Sequence, residues 1–177
     1  MKFKQGDKIK NIKLPAISGS NFDLSSLSGK PFMLSFLRFA TCPFCNLRVN
    51  QLVKRFEEFG DDFTIVAIFN SPIDNLTKHA KGHHAPFPIV ADHDKKYYKV
   101  YGIEQSFAGM LKGMIFRFPT LLKGMFKGYI PFPFKGSLIT MPADILVDKK
   151  GIIKEAYYGK DEGDHLPFDV IKDFSLK

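Results

Sequence analysis

The stretch Pro31-Phe32-Met33-Leu34-Ser35-Phe36-Leu37-Arg38-Phe39-Ala40-Thr41-Cys42-Pro43-Phe44-Cys45 joins an apolar run to the only two cysteines of the chain. The run reads as a buried strand over residues 31–39. Beyond it, Cys45, Val49, Leu52, Phe56 and Phe59 follow one another in steps of four and three, which makes one face of a helix. Arg48, Asn50, Lys54, Arg55, Glu57 and Glu58 fall off that stripe, and Gly60 ends the helix. A strand that delivers a C-x-x-C to a helix N-terminus is the arrangement a dithiol needs to cycle between reduced and disulfide forms. With Cys42 at the N-cap, Pro43 falls at the first helical position, where its missing N–H costs nothing. The N–H groups of Phe44 and Cys45 then point back at the Cys42 sulfur and favour its thiolate. Cys45 belongs to the buried stripe. This predicts an exposed, attacking Cys42 and a shielded Cys45 that resolves a mixed disulfide. Two other readings stand beside it. The cysteines can be plain buried residues, or half of a zinc site completed from His79, His83, His84 and His93. His79 and His83 have helical ligand spacing but lie in a lysine-rich stretch, so no metal is expected.

Outward from this centre the chain alternates strand and helix patterns. Before it, turn signals at Gly6-Asp7, Pro15, Gly19-Ser20-Asn21 and Gly29-Lys30 bound short strands or extended loops, with one helical turn at Leu24–Leu27. After it come an apolar strand over 63–69, suited to a parallel sheet, and a weaker helix over 74–81. A short strand over 87–91 precedes a helix capped by Asp92 or Asp94 and closed by Gly102. Two strands over 144–148 and 152–157 flank a Lys149-Lys150-Gly151 turn, and a last helix covers 166–176. The alternation predicts an α/β sheet with right-handed crossovers.

A length of 177 residues suits one domain, with residues 103–138 as an insertion of short helices and loops. That insertion holds Phe107, Phe116, Phe118, Phe126, Phe132 and Phe134 among many glycines, with no clean period. The formal charge is +8, and Lys112, Arg117, Lys123, Lys127 and Lys135 contribute five cations between Gln105 and Leu138, where there is no carboxylate. Three readings of the segment stand open. It completes the core, it forms a lid or dimer surface near the cysteines, or it touches a membrane. Nucleic acid is not expected, because no recognition motif accompanies the charge. No apolar signal region follows Met1-Lys2-Phe3-Lys4, and no run reaches the ~18 apolar residues of a membrane span. A cytoplasmic, reducing location is therefore expected, where a C-x-x-C serves catalysis more often than structure.

Several pieces, in order, resemble the peroxiredoxin-like (AhpC/TSA type) branch of the thioredoxin superfamily. They are Gly6-Asp7, Leu14-Pro15 and Leu27-Ser28-Gly29-Lys30, then Phe36–Thr41 with the cysteines. Phe87–Asp92, Tyr101-Gly102 and Ala143–Asp148 with Gly151-Ile152-Ile153 follow. The resemblance implies a thioredoxin-like fold: a central mixed β-sheet flanked by helices. The active site departs from the peroxiredoxin pattern. If Cys45 matches the peroxidatic sulfur, Cys42 takes the place of the family's threonine, and Pro142 falls about where a strand arginine belongs. Met141-Pro142 facing Cys42-Pro43-Phe44-Cys45 is instead similar to the thioredoxin and glutaredoxin arrangement. That similarity implies a thiol–disulfide oxidoreductase in which Cys42 attacks and Cys45 resolves. Met141 and Pro142 would shape a substrate groove, with Met141 lending backbone N–H and C=O to a bound chain. Thr41 and Arg38 would tune the thiolate. A thiol-dependent peroxidase is the alternative, with Arg38 or Arg48 supplying the cation that peroxide cleavage needs. A third class is a redox-sensing or membrane-associated module whose disulfide state alters the docking of 103–138. No cofactor is implied. The expected partners are thiol, disulfide or hydroperoxide substrates and a protein or small-molecule thiol as electron donor.

Overall fold

The computed structural model describes residues 2–132 and 135–177, so Phe134 lies outside it. Among the described residues the strands are β1 (Lys13–Pro15), β2 (Asn21–Asp23), β3 (Phe32–Phe36), β4 (Thr64–Phe69), β5 (Ile89–Ala91), β6 (Ala143–Val147) and β7 (Ile153–Tyr158). The helices are α1 (Pro43–Lys54), α2 (Ile73–Ala80), α3 (Lys96–Val100), α4 (Phe107–Phe116), α5 (Phe118–Phe126) and α6 (Phe168–Ser175). β1 and β2 pair as a small hairpin, and the main sheet has the order β5-β4-β3-β6-β7. β3 and β5 run parallel to β4, while β6 runs antiparallel to both β3 and β7. This is the mixed, helix-flanked sheet of a thioredoxin-like fold.

The apolar runs form strands because both faces of the sheet are covered. Phe32, Leu34 and Phe36 of β3 join Val66 and Ile68 of β4 on one face, packed by Tyr97, Tyr98 and Tyr101 around α3 and by Ile12 and Leu14. Met33, Ile65, Ala67 and Phe69 fill the other face under Val49 and Leu52 of α1, Leu76 of α2 and Ile171 of α6. The N-cap position of α3 is Lys95, at φ 56°, but Asp92 satisfies the first turn: its carboxylate accepts the N–H groups of Lys96, Tyr97 and Tyr98 at 3.0, 2.8 and 3.2 Å. The Lys149-Lys150-Gly151 turn closes on Asp148 Oδ1, which accepts from Lys150 and Ile152.

The long helix expected through Phe59 is shorter. It ends at Lys54, and a 3-10 turn carries Phe56–Glu58. Arg55 leaves the helical region, stacks 3.4 Å from the Phe168 ring centre and donates through Nε to Glu58 Oε1 at 2.6 Å. Phe59 still reaches the core, its ring 4.9 Å from that of Phe168. The insertion does form short helices, but its phenylalanines do not complete the core. Phe107, Phe116, Phe118, Phe126 and Phe132 are all exposed.

Candidate active site

Strand pairing continues past the end of β3 and fixes the residues before the cysteines. Leu37 N–H donates to Ile68 O at 2.8 Å, and Asn70 N–H donates to Arg38 O at 2.9 Å. Asn46 then clips the loop to α1, donating to Ala40 O at 2.8 Å and Cys42 O at 2.9 Å. His83 Nε2 holds Asn46 Oδ1 at 2.8 Å, so this histidine supports the loop. Cys42 is the N-cap of α1 and Pro43 its first residue.

Both cysteines are reduced, and both are fully buried. The exposed Cys42 expected from the sequence is thus corrected, and the insertion is the reason. α5 crosses the start of α1 at Gly124, where a Cβ would sit 2.7 Å from Pro43 Cβ and 3.3 Å from Leu47 Cδ1. α4 lies over the loop 160–164, where a Cβ at Gly113 would meet Glu162 Oε2 at 2.0 Å. A side chain at Gly124 would force the Pro43 ring to shift, and one at Gly113 would displace the Glu162 carboxylate. Arg117, between the two helices, pins the cover with an ion pair to Asp161 at 2.6 Å. The chain leaving the insertion is tied to the β4 end, since Ser71 Oγ donates to Lys135 O at 2.6 Å and Ser137 N–H to Asn70 Oδ1 at 2.9 Å.

The two thiols differ sharply in acidity. Burial pushes Cys42 up, but the hydrogen bond from Cys45, the charge of Arg38 and the N–H groups of Cys45 and Phe44 outweigh it. The Cys42 thiol comes down to about 6. Cys45 is raised well above the ordinary thiol value by burial, by its hydrogen bond to Cys42 and by the Cys42 charge. Arg38 serves both sulfurs. Its backbone N–H lies 3.2 Å from Cys45 Sγ and its Nη1 3.7 Å from Cys42 Sγ. Its Nη2 donates to Leu138 O, and Nη1 stands 3.5 Å from Glu162 Oε1.

Glu162 is a residue the sequence reading missed. Lys160-Asp161-Glu162-Gly163-Asp164 reads as a solvated acidic loop. The only available signal was its charge, opposite to that of the insertion. Here Glu162 is 2 % exposed, and its Oε2 has no hydrogen-bond partner among the described residues. Burial raises its carboxyl to about 7 against the opposing charge of Arg38.

The remaining sequence candidates are placed differently. Thr41 is buried directly before Cys42. Arg48 is not brought to the sulfurs. Its Nη2 donates to Leu166 O at 2.8 Å and faces Asp144 Oδ2 at 3.4 Å, under β6. Met141 does not offer a free backbone edge. Its N–H donates to Glu104 O at 2.9 Å, Ser106 N–H donates to Ile139 O at 2.7 Å, and Gln105 bridges to Thr140. Pro142 O accepts the Gly159 N–H at 2.9 Å. The Met141 N–H expected to meet a substrate backbone is thus taken by Glu104 O within the chain.

A C-x-x-C at the N-terminus of a helix that follows the central strand of a mixed sheet defines a thioredoxin-like thiol protein. Within that class the chain belongs to the AhpC/TSA family, whose model matches residues 5–156, and it is an oxidoreductase of the thiol-dependent kind. Its fold is shared with the peroxidoxin BcpB from Mycobacterium tuberculosis, at TM-score 0.70 and 17 % identity over 98 % of this chain and 97 % of that one. The thiol peroxidase from Chromobacterium violaceum superposes at TM-score 0.67 and 18 % identity, over 98 % and 86 %. A Chlorobium tepidum protein assigned as a thiol:disulfide interchange protein DsbE does so at 0.60 and 18 %, over 98 % and 96 %. No curated protein sequence matches the chain.

Proposed function

We propose that the protein is a thiol–disulfide oxidoreductase that works through a Cys42–Cys45 dithiol cycle. The observation that carries this reading is the contact between two thiols of opposite acidity, Cys42 lowered to about 6 and Cys45 raised. The Cys42 thiolate attacks a substrate disulfide, forming a mixed disulfide and releasing one substrate thiolate. Cys45 then gives up its proton, attacks Cys42 Sγ and releases the second substrate thiol. The substrate gains two electrons and the protein ends with a Cys42–Cys45 disulfide. An external thiol, of protein or small molecule, reduces that disulfide by the reverse exchange. A cytoplasmic, reducing setting belongs to this reading, since it would keep the pair as dithiol.

Arg38 supports a second reading, peroxide reduction at the same sulfur. Its guanidinium beside Cys42 suits an oxygen that leaves with negative charge. Cys42 would then become the sulfenic acid and Cys45 would close the disulfide, releasing water. Peroxide and disulfide turnover measured side by side on one preparation separate the two.

The acidity itself is testable. Alkylation of Cys42 should follow a single protonation with a midpoint near pH 6, the rate rising with pH as thiolate forms. With its carboxyl raised to about 7, Glu162 is mostly protonated at that midpoint and opposes the thiolate only as pH rises further. Arg38→Met removes the cation beside Cys42 and should move the midpoint upward. A midpoint at the ordinary thiol value in the unaltered protein would falsify the assignment of Cys42 as attacker. Lowering the acidity of Cys42 removes stabilisation from the reduced form, so Arg38→Met should also make the disulfide less oxidising in a glutathione redox titration.

A further inference from the structure

Helices on globular proteins bury their large apolar side chains and leave small or polar ones outside. α4 and α5 do the reverse. Gly109, Gly113 and Gly124 face inward, against Met141, Glu162 and Pro43. Phe107, Ile115, Phe116, Phe118 and Phe126 point outward and are between 53 % and 88 % exposed. Of the fourteen exposed large apolar side chains among the described residues, twelve lie between Phe107 and Leu138. A concentration of this kind marks a surface that something covers.

Charge decides what covers it. Lys112, Lys123, Lys127 and Lys135 are exposed, form no ion pair among the described residues, and have no carboxylate within the segment. A second copy of this chain seated face to face would set these cations against their own equivalents. An anionic bilayer supplies apolar depth and negative charge together. Neither helix can span one. α4 has 10 residues and α5 has 9, and no helix among the described residues is long and apolar enough to cross a membrane. We propose that the outer face of α4 and α5 is an interfacial docking surface for an anionic lipid bilayer, with the helices lying in the plane of the headgroups. The inference stands on this surface alone and does not depend on which thiol reaction the site performs.

The test is sedimentation of the full chain with vesicles of phosphatidylcholine, with and without phosphatidylglycerol. The expected result is binding to the anionic vesicles that weakens as salt rises. Phe116→Ser/Phe126→Ser changes two of the most exposed side chains, so the fold should survive, as circular dichroism checks. Binding should fall by roughly tenfold or more, the loss expected when two phenylalanines no longer enter the bilayer. Lys112→Glu/Lys123→Glu should reduce binding to the level seen with phosphatidylcholine alone. No binding to anionic vesicles at low salt overturns the proposal. Equal binding by the charge-reversed variant also overturns it. So does a concentration-dependent dimer that Phe116→Ser/Phe126→Ser dissociates while vesicles bind neither protein, which assigns the face to a second copy.

Discussion

Replacing Cys42 with serine should lower disulfide exchange by on the order of 10⁴-fold or more, because a serine hydroxyl is not ionised near neutrality and nothing here activates one. The N–H groups of Phe44 and Cys45 and the Arg38 charge bring a thiol down to about 6; an alcohol starts several units higher. Cys45→Ser has a different outcome. Its attacking sulfur remains, so the first step proceeds and the mixed disulfide accumulates for want of a resolving thiol. Mass spectrometry of protein incubated with a small disulfide should show one adduct on Cys45→Ser and none on Cys42→Ser. The reverse pattern would make Cys45 the attacker and overturn the mechanism. A serine at position 45 still offers a donor to the Cys42 thiolate, whereas Cys45→Ala removes it and should raise the acidity midpoint of Cys42 above about 6.

The second large effect is on stability. Asp144 of β6 is completely buried. Its carboxylate accepts from Ser35 Oγ across the β3–β6 pairing at 2.6 Å, from Leu166 N–H at 2.9 Å and from His165 Nδ1 at 3.2 Å, with Arg48 Nη2 at 3.4 Å. Burial alone would raise its carboxyl. The charges of His165 and Arg48, with the hydrogen bonds from His165 and Ser35, win and hold it far below the ordinary carboxylate range. Asp144→Ala leaves the Arg48 guanidinium buried beside no counter-charge, and should cost about 3–5 kcal/mol of unfolding free energy. Arg48→Met should destabilise in the same direction by leaving the carboxylate unbalanced. Because the folded pKa is depressed, Asp144 contributes its full stability above the unfolded carboxylate value of roughly 4 and loses it as pH falls below that. Urea titrations at neutral and acid pH should show the gap between the unaltered protein and Asp144→Ala narrowing in acid. A gap that stays constant down to pH values well below 4 would count against the ion pair as its source.

The central geometry was readable from local pattern. Phe32–Phe36 alternate between two covered faces, Pro43 stands where only the first helical position welcomes it, and the steps from Cys45 to Leu52 put one stripe under α1. These are short-range constraints, and short-range reasoning captures them. That residues 103–138 cover the site stood only as one of three open readings, because the cover comes from residues some seventy positions further on and because α4 and α5 invert the ordinary pattern. A helix that faces the protein with Gly109 and Gly113 and faces outward with Phe107 and Phe116 defeats any reading based on apolar periodicity. Arg38 and Arg48 illustrate the same limit. Both lie within seven residues of a cysteine in sequence. Which one meets sulfur depends on Asp144, whose burial beneath α1 draws Arg48 away.

The glycine crossing of α5 over Pro43 carries a kinetic consequence. With neither sulfur touching solvent, a substrate reaches Cys42 only when residues packed around it move, and α5 is packed through Gly124 on the adjoining Pro43. Turnover then cannot exceed the frequency with which the packing over Cys42 opens. Whatever loosens this contact makes the protein faster and, at the same time, less discriminating.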